Sequence, residues 1–353
     1  MWGRFLLSVA PFNQIGYDFS QYWLAASRFA AGGPLYLEAY LRGPIPALAD
    51  DYFYPPAFAQ LLGLLTGVPL TIAYVAFAIL GLTIFVVTTW KCAQAGGARG
   101  GIDLSLGTAL LLAAAFPVAF AVIFGNVEAL LVAAITVALL ARPARGGAAL
   151  ALGVVLKITP IALVPALAAR SWRALLAFGL ALLAVVGLGF ILAPDAWIAF
   201  PTILDHLAGR IDDYATNAAP AAVIATIAGP AAGSVARLVT LAVAGVLVLL
   251  SALLARRPGG WPSALFAATF ASLLVPPTLW QHYPAILLPF IAFAWPRSGT
   301  WPRAGIVYAL IFFNSWALIP TAVGLVLLGV ALLWALWPRT ALSRVAGPVE
   351  TAA

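Results

Sequence analysis

Residues 70–90, LTIAYVAFAILGLTIFVVTTW, run for 21 positions without one charged side chain. At 1.5 Å per residue such a run makes a helix of about 32 Å, matching the roughly 30 Å hydrocarbon core of a bilayer. It does not alternate between apolar and polar residues, as the strands of a membrane barrel do. Comparable Ala-, Leu- and Val-rich runs recur at 104–124, 126–141, 171–193, 235–255, 262–278, 283–296, 303–319 and 321–337. Across the chain 64% of residues are hydrophobic and 8% charged, and mean hydropathy is +1.06. A soluble domain carries about 25% charged residues, so a water-soluble fold of this composition would lack a surface. In lipid only helices and closed barrels satisfy their own backbone. The sequence therefore predicts an all-α polytopic integral membrane protein, one transmembrane domain over residues 1–353. It would have about 10–12 transmembrane helices, some of them short or re-entrant.

The net charge of +7 reads as a topology signal, because Arg and Lys gather beside the ends of apolar runs. No basic cluster has the density or the interleaved aromatics of a nucleic-acid surface, so no nucleic-acid partner is expected. One cysteine, Cys92, excludes an internal disulfide framework. The two histidines, His206 and His282, are far apart in sequence, so no metal site or cofactor is expected. The stretch Trp2–Tyr17 is apolar but, at 16 residues, short of the roughly 17–25 that a span needs. It shows no cleavable signal sequence, since the chain continues as membrane helices.

Segment 146–169, GGAALALGVVLKITPIALVPALAA, decides the topology. Its 24 residues are enough to span once, but Arg142 and Arg145 precede it and Arg170 and Arg173 follow it. One crossing would leave a basic pair on the outer side. A re-entrant hairpin keeps both pairs inside, with Pro160 marking the break and Lys157 near the tip. With that choice Lys91/Arg99, Arg256/Arg257, Arg297/Arg303 and Arg339/Arg344 also fall on the cytoplasmic side. The opposite face then collects every unusual polar feature. These are a first external loop over 18–69, the FGN turn at 124–126, Lys157, a second excursion over 194–233, and the QHYP turn at 281–284.

Within the first loop, DFSQYWLAASRFAA places Phe19, Tyr22, Trp23, Ala26 and Phe29 at helical spacing, with Ser20, Gln21, Ser27 and Arg28 opposite. This predicts an amphipathic helix lying in the membrane interface. Asp18 stands where an N-cap belongs, and Gln21 completes a capping-box pattern. A cap would hold that carboxyl's pKa down and weaken it as a base, and the local pattern leaves cap and base both open. YFYPP at 52–56 leads into a second surface helix at about 57–66. Lys157, flanked on both sides by apolar residues, is a snorkelling cation or a charge kept for a phosphate. Glu128 and Asn126 beside the FGN turn, and His282 in WQHYP, are candidates for polar contacts. Asn217 reads as a substrate contact or a helix cap. Asp195, Asp205, Asp212 and Asp213 read as solvated loop charges.

Taken together, these pieces resemble a known family. GYDFSQYWLAASRFAAGGPLY, YFYPPAFAQLL, GNVEALL, ALGVVLKITPIALVPAL followed by RSWRA, TNAAP and QHYPAILLPF occur in that order over residues 16–290. The set resembles the family 87 glycosyltransferases, polyprenyl-phosphate-mannose-dependent α-mannosyltransferases of the GT-C superfamily. The resemblance implies a GT-C-type fold. It implies a polyprenyl-phosphate sugar donor, and a glycolipid or other membrane-associated glycan as acceptor. It implies a site on the periplasmic face of a bacterial inner membrane. It maps the catalytic aspartate onto Asp18, the donor-phosphate cation onto Lys157 and a late active-site histidine onto His282. Tyr22, Tyr54, Asn126, Glu128 and Asn217 join His282 as candidate substrate contacts. The family carries a full transmembrane helix before its aspartate, whereas 17 residues precede Asp18 here. The rival expectation from the residues themselves is a secondary transporter or lipid flippase. Such a protein shares broken helices and an intramembrane lysine. It also predicts internal repeats and polar groups at mid-bilayer, neither of which the sequence displays.

Overall fold

The computed structural model describes residues 15–45, 52–99, 115–208, 217–314 and 318–338. The expectations for Trp2–Gln14, Asp50, Asp51, Asp212, Asp213, Arg339 and Arg344, and for the first half of the 104–124 span, lie outside these residues. The described chain is helical throughout. In order it forms α1 Tyr17–Ala30, α2 Glu38–Arg42, α3 Pro56–Gly63, α4 Leu70–Ala95, α5 Phe116–Phe124, α6 Glu128–Leu140 and α7 Pro143–Leu156. A 3-10 turn at Thr159–Leu163 leads to α8 Val164–Arg170, then α9 Trp172–Leu192, α10 Pro194–Ala208, α11 Pro220–Ala228, α12 Pro230–Ala255 and α13 Trp261–Leu274. A second 3-10 turn, Tyr283–Leu287, precedes α14 Leu288–Ala294, and α15 Thr300–Phe313 and α16 Leu318–Leu336 follow.

Among the described residues four helices, α4, α9, α12 and α16, are long and apolar enough to cross a membrane. Much of their surface is apolar and uncovered by protein: Leu183, Ile191, Leu238, Leu249 and Trp334 are all exposed. In water that surface would be an aggregation liability; in lipid it is the expected outer face, and the protein is a polytopic membrane protein. The core is the reverse. Helices α13 and α14 are buried on nearly all sides, and Leu265, Phe266, Ala268, Leu288 and Phe290 sit at its centre.

Lipid tails are as apolar as leucine, so helices in a bilayer associate through close packing at small residues. Gly147 on α7 is so near α9 that a Cβ there would lie 2.0 Å from the Ala174 carbonyl oxygen, and Gly146 abuts Ala138 of α6. Those contacts put the start of α7 level with the end of α6 and the start of α9. The far end of the same segment returns to that level, because Arg170 donates to the Ala138 carbonyl at 3.3 Å and stacks on Trp261. Residues 143–170 therefore run out and double back. The turning point is Lys157, whose extended backbone (φ −154°, ψ 122°) ends α7, and Pro160 opens the 3-10 turn after it.

The first loop docks onto one end of this bundle. Its aromatic residues Phe19, Tyr22, Trp23, Tyr36, Tyr52 and Phe58 form a second core with Phe200 of α10. Gln60 of α3 donates to the Gly189 carbonyl of α9 at 2.8 Å, and His206 of α10 meets the Tyr40 carbonyl at 2.8 Å. Helix α1 has 14 residues, about 21 Å at 1.5 Å per residue, too short to cross. Gln21, expected on its polar face, is buried with the aromatic face. The protein covers more of this helix than an interfacial position alone would.

Candidate active site

Helix α1 starts two residues earlier than the capping pattern implies. Gly16 occupies the N-cap in the left-handed region (φ 73°), and its amide donates to the Ile123 carbonyl of α5 at 2.8 Å. Tyr74 of α4 donates to the same carbonyl at 2.7 Å. Asp18 therefore lies in the first helical turn, and its carboxylate does not cap. This corrects the expected capping box. A local pattern lost to tertiary contact, because Gly125, also left-handed (φ 68°), lets α1 approach the FGN turn. A Cβ on Gly125 would sit 2.7 Å from the Phe19 Cβ.

That approach delivers Asp18 to Asn126, whose Nδ2 donates to Asp18 Oδ2 at 2.6 Å. The same nitrogen lies 3.0 Å from His282 Nε2. His282 Nε2 is also 4.0 Å from Asp18 Oδ2 and 3.9 Å from Glu128 Oε2. Glu128, the first residue of α6, is fully buried and accepts a hydrogen bond from Lys157 Nζ at 2.8 Å. Lys157 lies over the Tyr283 ring, 3.2 Å from its centroid, and 5.9 Å from that of Tyr54. Tyr54 in turn meets Tyr22 edge-on at 5.0 Å. Five polar side chains from α1, the FGN turn, α6, the Lys157 break and the QHYP turn thus form one contiguous cluster. Positions as distant in sequence as Asp18 and His282 meet in it.

Lys157 does not snorkel. Its side chain is 12% exposed and is held by a buried carboxylate. Asp18, in the non-spanning first loop and 19% exposed, is the more open end of the cluster. Burial pushes its carboxyl up to about 7. The Asn126 hydrogen bond opposes the rise, Glu128 adds to it, and Lys157 opposes it. A weakened base was the expectation for a cap; the environment found is that of a carboxyl tuned toward neutrality. Several deeply buried polar atoms around the cluster have no hydrogen-bond partner among the described residues: Asn126 Oδ1, Glu128 Oε2 and His282 Nδ1. Buried polar atoms are normally satisfied, and such a concentration fits a surface that closes around a ligand.

Asn217 is engaged elsewhere. Its Oδ1 accepts from the Ala219 and Leu279 amides at 3.0 and 2.9 Å, and its Nδ2 donates to the Pro277 carbonyl at 3.3 Å. It braces the approach to the QHYP turn. Two residues that sequence reasoning passed over are Tyr283, which carries Lys157 on its ring, and Phe120, which stacks on His282 at 5.6 Å and 9°. Tyr283 adjoins His282 in the same motif, which was the available signal. Phe120 sits in an apolar run and gave none.

No curated protein matches the chain. The model of glycosyltransferase family 87 matches residues 52–277, which include Tyr54, Asn126, Glu128, Lys157 and Asn217 and leave Asp18, Tyr22 and His282 outside. With well over half of the sequence inside that match, the chain belongs to glycosyltransferase family 87.

Proposed function

We propose that the protein transfers a sugar, mannose by family resemblance, from a polyprenyl-phosphate donor to a hydroxyl of a membrane-associated glycolipid or glycan. On this reading the site faces the periplasmic side of a bacterial inner membrane. The observation that carries the reading is the cluster itself. It sets a partly open carboxyl, Asp18, at one end and a buried ammonium, Lys157, at the other, joined through Asn126, His282 and Glu128.

The chemistry follows from these two ends. Asp18 accepts the proton of the acceptor hydroxyl as that oxygen bonds to the anomeric carbon. The bond from that carbon to the phosphate oxygen breaks on the opposite side, its electron pair leaves with the phosphate, and the configuration inverts. Hydrolytic glycosidases usually need a second carboxyl to protonate the leaving oxygen. A phosphate leaves as a stable anion, so one base suffices. A base with pKa near the working pH combines availability with driving force, and Asp18 at about 7 meets that condition. Lys157 carries three donors. One holds Glu128 and the ammonium also rests on the Tyr283 ring, and the remaining donor capacity stabilises charge developing on the phosphate. Tyr54, partly exposed, offers a ring face and a hydroxyl to the sugar, and Tyr22, buried against Tyr52, Tyr54 and Phe58, supports it from behind.

The test is incubation of the purified protein with polyprenyl-phosphate mannose and a membrane glycolipid extract, following release of polyprenyl phosphate. Asp18→Asn should lower turnover by about 10²–10⁴-fold, the usual worth of a general base, while donor still binds. Turnover by Asp18→Asn equal to that of the parent protein would sink the assignment.

A further inference from the structure

The deep part of the cluster contains a fork whose polarity follows atom by atom. Asn126 is 2% exposed and stands between Asp18 and His282. Its Nδ2 lies 2.6 Å from a carboxylate oxygen and 3.0 Å from an imidazole nitrogen. An amide nitrogen has two hydrogens and accepts nothing, so each hydrogen serves one neighbour. Exchanging the amide oxygen and nitrogen would press Oδ1 against the Asp18 oxygen. That arrangement is tolerable only when Asp18 is protonated. With Asp18 ionised, Nδ2 must face both neighbours, and His282 Nε2 must be the nitrogen with the lone pair. A neutral ring then carries its proton on Nδ1. Among the described residues the carboxylate oxygens facing Nε2, those of Asp18 and Glu128, lie at 4.0 and 3.9 Å, too far to hold a proton there. Phe120, stacked nearly parallel to the ring, fixes its plane. The Nδ1 so protonated is buried and has no acceptor among the described residues.

We propose that Asn126 is a positioning residue. Its single NH₂ group aims the Asp18 carboxylate and locks His282 as the Nδ1–H tautomer, so that the buried Nδ1–H donates to an oxygen of the bound donor substrate. This rests on the reading of Asp18 as the base, and it moves Asn126 from substrate contact to orienting group. The oxygen taken by Nδ1–H is a lone-pair acceptor, supplied by the sugar or by the phosphate. His282 Nε2, with its lone pair engaged by Asn126, is unavailable as an alternative base while Asp18 is ionised.

The chain's two histidines make the tautomer observable. The full-length protein, labelled with [¹⁵N]histidine in a His206→Gln background and placed in lipid nanodiscs at pH 8, shows one imidazole. We expect a protonated Nδ1 and an unprotonated Nε2. Asn126→Asp places two carboxyls within hydrogen-bond reach, where they share one proton between them; the ring then faces an acceptor oxygen, and the pattern should reverse to Nε2–H. A parent protein with Nε2–H, or an Asn126→Asp variant with an unchanged tautomer, overturns the proposal. Should Asn126→Asp fail to fold, Asn126→Ala is expected to abolish the single-tautomer signal, and retention of pure Nδ1–H overturns the lock. Addition of polyprenyl phosphate or of polyprenyl-phosphate mannose separates the two sources of oxygen. A shift of the Nδ1 signal with both assigns the contact to phosphate, and a shift with the sugar-bearing donor alone assigns it to the sugar. No shift with either refutes the donor role.

Kinetics supplies a readout that a merely structural residue would not move. Asp18 is faced by Asn126, Glu128, Lys157, His282, Tyr22, Tyr54 and Tyr283. Removing the Asn126 hydrogen bond in Asn126→Ala should move the acid limb of turnover upward by on the order of one pH unit. A lower plateau with an unmoved limb overturns the positioning role. The ¹⁵N result does not depend on turnover. Full activity in Asp18→Asn would therefore remove the base assignment and leave the tautomer as an independent finding.

Discussion

The ion pair of Lys157 with Glu128 offers the most direct physical test of how the site is held together. The two charges are 2.8 Å apart, Glu128 has no exposed side-chain surface, and Lys157 has 12%. With an effective dielectric of about 20, their attraction is about 6 kcal/mol. Desolvation of both ions offsets much of that, so replacing the pair with uncharged residues of similar size is expected to be close to neutral. Removing one partner strands a buried charge and costs about 3–5 kcal/mol. The variants are Lys157→Met, Glu128→Gln and the double substitution. Their unfolding in mixed detergent micelles would be followed by tryptophan fluorescence over a denaturing-detergent titration, from which free energies are compared. Each single substitution should destabilise strongly, and the double should recover most of the loss, giving a coupling of about 3 kcal/mol. Single losses below about 0.5 kcal/mol, the range of ordinary surface substitutions, would refute the buried pair. Losses that simply add would refute the coupling. Either result would return Lys157 to a cation reaching for the membrane surface.

The remaining expectations concern the base and the packing. Turnover should fall about tenfold per pH unit below about 7, because Asp18, as the proposed base, would act ionised and its carboxyl is raised to about 7; an acid limb centred near 4 in the rate–pH profile would contradict this. The same shift has a stability consequence. A carboxyl whose folded pKa lies above its value of 3.8 in the open chain is free of penalty below that value. The penalty grows as pH rises from there to about 7 and is constant above. Asp18→Asn should therefore raise the thermal midpoint at pH 8, with the gain shrinking toward pH 4; a midpoint lower than the parent at pH 8 would contradict the burial argument. On the helices, Gly147→Ala must displace the Ala174 carbonyl and should cost about 1–3 kcal/mol by overpacking. Gly179→Ala on α9 meets open space and should be neutral or slightly stabilising, as read from the same unfolding titrations.

What the sequence made legible, and what it hid, divides by the range of the physics involved. Spanning helices are dictated locally, because lipid forces each segment to satisfy its own backbone and to be apolar over a bilayer's thickness. The run at 70–90 accordingly appears as Leu70–Ala95 and that at 171–193 as Trp172–Leu192. Charge placement and Pro160 act over a few residues and point to a break at Pro160 near Lys157; the helix itself ends at Leu156, and a 3-10 turn begins at Thr159. The site obeys a longer-range rule. Asp18 and Gln21 carry a sound capping pattern, yet the helix begins at Tyr17 and the carboxylate turns to Asn126, 108 positions away. A capping bond is worth about 1 kcal/mol. The Asn126 contact keeps a charge-assisted bond of the same kind while the aromatic face of α1 is buried as well, so the local pattern yields to packing. Two glycines decide that here. Gly16 takes the left-handed conformation that begins α1 early, and Gly125 clears space for Phe19. Both were visible in GYDF and FGN as ordinary turn residues. Their role in setting the register of Asp18 against Asn126 exists only once α1 and α5 are packed together, and it is this register that turns an apparent helix cap into a candidate base.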